Sequence, residues 1–93
     1  MICIYAIAKI KEGCNQEFLK TAEGLVNYTR AEPGNISYVL CRKSPDTYVF
    51  IESWKDEEAV KKHFEMSYFL SAAQKFELLL AEKLEIHQLT AVL

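Results

Sequence analysis

The stretch ICIYAIAKI, residues 2–10, is apolar on both sides of what reads as a strand. Successive side chains of a strand point to opposite faces of the sheet. Ile2, Ile4, Ala6, Ala8 and Ile10 share one face, and Cys3, Tyr5, Ile7 and Lys9 share the other. A sheet with one wetted face shows clean alternation instead. The first strand therefore predicts a sheet covered on both faces. The chain has 93 residues, which predicts one compact domain over 1–93 with a high surface-to-volume ratio.

The rest of the chain supplies only one cover. KEGCNQ breaks the first strand, and Asn15 is the expected N-cap of a helix over about 16–31. Phe18, Ala22, Leu25, Val26 and Thr29 follow helical spacing. Pro33 and Gly34 end that helix. NISYVLCRK and TYVFIESWK read as second and third strands in an antiparallel hairpin around Ser44–Pro45–Asp46. Two registers stand open. A two-residue loop sets Val39 opposite Glu52; a three-residue loop sets Tyr38 there and Arg42 opposite Tyr48. Asp56 is the expected N-cap of the next helix, with Glu57–Lys61 and Glu58–Lys62 as i,i+4 pairs on its wet side. Ala59, Val60, His63, Phe64 and Ser67 mark the inner side. The helix is expected to pause at Met66–Ser67, with Ser67 capping a second segment. That segment's core stripe is Phe69, Leu70, Ala73, Phe76, Leu80 and Leu84. EIHQLTAVL closes the chain as a strand apolar on both faces.

The order β-α-β-β-α-β predicts an α+β, ferredoxin-like fold: a four-stranded antiparallel sheet with two helices on one face. The other face then needs a cover of its own, and a second copy of the chain, sheet against sheet, is the economical answer.

Composition excludes several classes. The net charge is −2 and no basic run stands out, which argues against nucleic acid. Cys3, Cys14 and Cys41 are odd in number, widely spaced and without a CxxC, as expected of small hydrophobes in a reducing cytoplasm rather than a zinc site. The N-terminal stretch lacks the charged lead-in and cleavage site of a signal peptide. No apolar run approaches the ~20 residues of a membrane span. Phosphate-cradling glycine loops and a GxSxG nucleophile motif are absent from the sequence.

Two polar groups stand out against their surroundings. His63 falls on the apolar face of its helix, either as a satisfied core histidine or as a site residue. Glu52 shares a strand face with Tyr48, Phe50 and Trp54. A carboxyl group there needs a partner, Arg42 or a lysine, or else has a pKa raised by burial and serves as a base. His87, in a set with Glu85 and Leu89, is expected to be structural.

The run AEPGNISYVLCRKSPDTYVFIESWKDEEAVKKHFEMSYF resembles the antibiotic biosynthesis monooxygenase domain, a branch of the dimeric α/β-barrel superfamily. The residues that carry the resemblance are Glu32–Pro33–Gly34, Glu52 and Trp54 of Glu-x-Trp, and Ala59 and His63 of Ala-x-x-x-His. It implies a homodimer and a cofactor-independent monooxygenase acting on a quinol or polyketide-derived phenol with dioxygen, without metal or flavin. It also implies a cavity between the sheet and the second helix, lined by aromatic side chains. His63 would be the base or bind the phenolic oxygen, with Glu52 or Tyr68 assisting; Trp54, Phe64 and Phe69 would line the substrate site. The sequence departs from the family pattern at Tyr68, where many quinol-type relatives carry a second histidine. Gln74 stands near the place of the axial histidine of the haem-degrading branch, and the first strand lacks that branch's asparagine. Two other functions remain open: a ligand-binding dimeric barrel without chemistry, and an isomerase of a small phosphorylated metabolite using Arg42 or Lys9.

Overall fold

The computed structural model describes residues 1–93. Seven elements follow one another: β1 (Ile2–Lys9), α1 (Asn15–Arg30), β2 (Asn35–Ser44), β3 (Thr47–Trp54), α2 (Glu57–Glu65), α3 (Ser67–Leu79) and β4 (Glu85–Thr90). The sheet runs β2-β3-β1-β4 and every pairing is antiparallel. This is the expected ferredoxin-like architecture, with the second helical stretch split into α2 and α3.

The helices cover one face. Ile2, Ile4, Ala6, Ala8 and Ile10 are buried there, together with Tyr38, Tyr48, Phe50 and Trp54. Phe18 of α1 is fully buried, with ring centroids 5.2 Å from Tyr48 and 5.1 Å from Phe76 of α3. The opposite face carries Val39, Ile51 and Leu89, all exposed, around half-buried Cys3, Tyr5, Ile7 and Val49. His87 stacks on Tyr5 there, at 4.6 Å between centroids, and its Nε2 lies 2.6 Å from Glu85 Oε2.

The hairpin resolves the two open registers by combining them. Ser44 pairs with Thr47, which leaves a two-residue loop. A bulge between Arg42 and Ser44 then shifts the ladder, so that Arg42 faces Tyr48 and Tyr38 faces Glu52. The extra residue, Lys43, moves β2 by one side chain and brings Tyr38 to the helix side.

Several local expectations are corrected. Asn15 is the first helical residue rather than the cap; its Nδ2 donates to the Pro45 carbonyl at 2.7 Å and ties α1 to the hairpin turn. Ser67 is exposed and caps nothing. The break comes from Met66, whose extended backbone (φ −67°, ψ 137°) ends α2 and begins α3. Leu70 is exposed; Ala72 and Phe76 are the buried residues of α3, and buried Leu80 follows at its C-cap. Asp56 does cap α2, accepting from the Ala59 N–H at 2.9 Å. Of the two expected ion pairs on α2, Glu58–Lys62 closes at 3.7 Å between exposed side chains.

Gly34 is required by proximity rather than by its dihedral angles. A Cβ placed on it would overlap the Ala59 Cβ. The Lys55 N–H donates to the Gly34 carbonyl at 2.9 Å, which pins the turn to the end of β3. Gly34→Ala should therefore destabilise the fold by about 1–3 kcal/mol, the usual range for overpacking. Ala59→Gly in the same chain should recover part of that loss, although it costs about 1 kcal/mol of helix propensity alone. Urea denaturation of the four proteins of the cycle measures the coupling. Purely additive effects would refute the close approach.

Candidate active site

Glu32 stands where a carboxyl group has little reason to be. It follows Ala31, the C-cap of α1, at the end of the helix whose dipole disfavours negative charge. The turn is held by the Glu32 N–H on the Thr29 carbonyl and the Asn35 N–H on the Glu32 carbonyl, both at 3.0 Å. The side chain runs inward and is buried. His63 Nδ1 lies 2.8 Å from Glu32 Oε2, and the Tyr68 hydroxyl donates to the same oxygen. These contacts from two further helices replace the water that burial removed.

His63 is on the inner face of α2 and has no exposed surface. A carboxylate only accepts, so the hydrogen is assigned to Nδ1 and a lone pair to Nε2. Nε2 is buried without a protein partner. Four aromatic rings surround the imidazole, with centroids at 4.7 Å for Trp54, 4.9 Å for Phe69, 5.5 Å for Phe64 and 5.6 Å for Tyr38.

Glu52 is buried beside this group and takes a different partner from the one expected. The Trp54 indole N–H, on the same strand face, donates to Glu52 Oε1 at 2.9 Å. Arg42 instead donates to the Tyr48 hydroxyl at 3.2 Å and lies 5.3 Å from that ring's centroid. The sequence signal for Glu52 was right about burial and wrong about charge pairing, because the ladder sets Arg42 near the turn, four β3 residues away.

The electrostatics follow from burial. Desolvation raises the Glu52 carboxyl to about 7; Glu32 adds repulsion, and the Trp54 N–H opposes both. Burial lowers the His63 imidazole below its usual range against the pull of Glu32. Tyr38 and Tyr68 are both raised, first by burial, with Glu52 acting next on Tyr38 and Glu32 on Tyr68. Tyr68 therefore stays a phenol and spends its hydrogen on Glu32. Among these groups, the free basic atom is His63 Nε2.

All six residues singled out in the sequence lie in one contiguous group. Glu52 bonds Trp54, Trp54 packs on His63, Phe64 and Phe69 pack on His63 and on each other, and Tyr68 joins through Glu32. The expected cavity facing Trp54 and His63 is filled by these rings. Clefts of about 220, 330 and 570 Å³ lie around the group and reach Glu32, Tyr68 and Phe69 respectively. Sequence reasoning missed Glu32 as a partner of His63, and placed Tyr38 opposite Glu52 in only one of two open registers without giving it a part in the site. The available signal for Glu32 was an acid at the wrong end of a helix. For Tyr38 it was the register, which hinged on one bulged residue.

Because burial raises the Glu52 pKa in the folded state, its contribution is fully present below the unfolded value of 4.5 and is lost as pH rises through about 7. His63 acts in the opposite sense, costing stability as pH falls below its ordinary range of about 6.5. Glu52→Gln keeps an acceptor for Trp54 and removes only the first effect. The stability of the variant relative to wild type should therefore rise between pH 5 and pH 8.5, by at most about 3 kcal/mol. A flat difference across that range, measured by denaturant titration, would refute a buried protonated Glu52.

A family model described as "Antibiotic biosynthesis monooxygenase" matches residues 1–83. The chain is 40% identical over 88 residues to "Putative monooxygenase YcnE" of Bacillus subtilis (strain 168), across 92% of this chain and 93% of that relative. A crystal structure named as a "putative antibiotic biosynthesis monooxygenase" from Caulobacter crescentus CB15 superposes with a TM-score of 0.92 at 28% identity, covering 98% of this chain and 89% of that one. A protein of the same description from Nitrosomonas europaea reaches 0.94 at 18% identity over the whole of both chains, a likeness of fold. With the family model spanning β1 through α3, and a relative at this identity matched nearly end to end, the chain belongs to the antibiotic biosynthesis monooxygenase family.

Proposed function

We propose that this protein is a cofactor-independent monooxygenase that oxidises a small quinol or polyketide-like phenol with dioxygen. The observation that carries this reading is the buried His63, held through Nδ1 by Glu32, with Nε2 left as a lone pair inside an aromatic enclosure. Family membership supports oxidoreductase chemistry of this class.

A substrate hydroxyl gives its proton to Nε2. The Glu32 carboxylate stabilises the imidazolium that forms, and Tyr68 steadies that carboxylate. Trp54, Phe64 and Phe69 offer flat walls to an aromatic anion. The electron-rich anion then reacts with dioxygen directly. One oxygen atom bonds to substrate carbon and the other leaves as water, and all the electrons that reduce dioxygen come from the substrate. Burial raises the Glu52 carboxyl to about 7, so that it carries less negative charge beside that anion at neutral pH than an exposed carboxylate would. The isomerase reading has less support, since Arg42 sits on Tyr48 and Lys9 lies 3.4 Å from Glu82 at the surface.

The apolar outer face of the sheet supports a homodimer with a second copy packed against Val39, Ile51 and Leu89. Three free thiols suit a reducing compartment such as the cytoplasm. No helix is long and apolar enough to cross a membrane.

Oxygen uptake by metal-free protein, with a panel of quinols and anthrone-like phenols, tests the chemistry. His63→Ala should lower the rate by about 10²–10⁴-fold, the usual contribution of a general base, and Glu32→Gln by a smaller factor. No uptake across the panel, or equal rates in His63→Ala, would sink the proposal. Sedimentation of Ile51→Glu tests the assembly: a dimer in wild type and a folded monomer in the variant are expected. A wild-type monomer would remove the second copy from the account.

A further inference from the structure

We propose that Phe69 is a gate between His63 and the cleft along α3 and β4, and that this cleft admits a flat aromatic molecule bearing a hydroxyl donor. The inference rests on the reading of His63 as the base and specifies how that base is reached.

The imidazole is sealed by four rings, but they are not held equally. Trp54 is fully buried and anchored through its indole N–H to Glu52. Tyr38 is buried within the ladder opposite Glu52. Phe64 and Phe69 are half-buried. Of the four, only Phe69 also lines one of the three clefts. It sits in the first turn of α3, directly after the extended Met66, where no side chain caps the helix. One half-buried ring in an uncapped first turn thus separates a fully buried base from about 570 Å³ of open volume.

The cleft fits such an occupant. Phe69, Phe76, Leu80, Leu84 and Ile86 line it, and Glu77, Glu82 and Lys83 stand among its lining residues. Its volume falls in the range of small-molecule sites. The free atom behind the gate dictates the ligand's polarity. Nε2 carries a lone pair, so it takes an O–H donor and has nothing to offer a carbonyl. A phenol or quinol gains that bond. A quinone product, having lost the hydroxyl hydrogen, does not. The same atom thus favours entry of the reduced form and release of the oxidised one.

The test uses the chain's two histidines, His63 and His87. Deuterium exchange at the imidazole carbon between the two nitrogens, followed by mass spectrometry, reports access of solvent to each ring. Phe69→Ala should speed exchange at His63 tenfold or more and leave His87, on the outer face, unchanged. Phe64→Ala, which removes a ring that touches His63 but lines none of these three clefts, should change it less than twofold. Phe69→Leu, a milder change, should give an intermediate rate and serves if Phe69→Ala does not fold. No acceleration in either Phe69 variant, or equal acceleration in Phe64→Ala, overturns the gate. Calorimetry with 1-naphthol and 1-methoxynaphthalene tests the donor rule; at least tenfold tighter binding of 1-naphthol is expected. Equal affinities, or no binding of 1-naphthol, overturn the assigned ligand. Neither measurement uses oxygen, so a failure of the oxygenase reading is distinguishable from a failure of the gate.

Discussion

The hydrogen bond between Glu32 and His63 is the contact around which the molecule is arranged. It joins a turn to a helix thirty-one residues away, between a histidine with no exposed surface and a carboxyl group that is nearly fully buried. An unmade bond between buried polar groups costs about 1–3 kcal/mol, more when one is charged. The backbone nearby is shaped to bring them together. Gly34 lets the turn touch Ala59, Asp56 starts α2 at the end of β3, and Met66 turns the chain so that Tyr68 reaches the same carboxylate. The pair is stabilising only as a completed network, which is the usual condition on buried polar groups.

Much of this was legible in the sequence, and the reasons are specific. β1 announced the helix-covered face of the sheet because Ile2, Ile4, Ala6, Ala8 and Ile10 share it. Helical spacing placed His63 inward, and alternation placed Glu52 and Trp54 on one face. What alternation cannot express is a bulge, because it counts residues and not hydrogen bonds. Lys43 therefore left the places of Tyr38 and Arg42 undecided between two registers. Periodicity likewise misjudged Leu70 and Ser67, since the break at Met66 restarts α3 in a different phase from α2. Glu32 escaped for another reason. It belongs to a turn, and a turn has no period to show which way a side chain points.

The sheet divides the labour of the chain by face. The inner face holds the aromatic rings, the buried acids and the histidine; the outer face holds aliphatic side chains, Tyr5 and an imidazole–carboxyl pair in partial contact with solvent. A strand alternates between the two with every residue. Residues such as Glu52 and Ile51 are thus neighbours in sequence and strangers in environment. A substitution on one side need not disturb the chemistry on the other, although both sit on the same backbone.

The bulge at Lys43 makes this separation a matter of parity. Between a hairpin turn and a buried side chain, what counts is whether the number of intervening residues is odd or even. A two-residue turn alone would set the wrong parity and send Tyr38 outward. The bulge adds one and corrects it. A loop of another length between Ser44 and Thr47 would leave these pairs where they are; it is the order of pairs beyond the turn that the bulge resets. Turn and bulge together form a local error-correcting pair. Its purpose is visible only several residues away, where Tyr38 lies opposite Glu52.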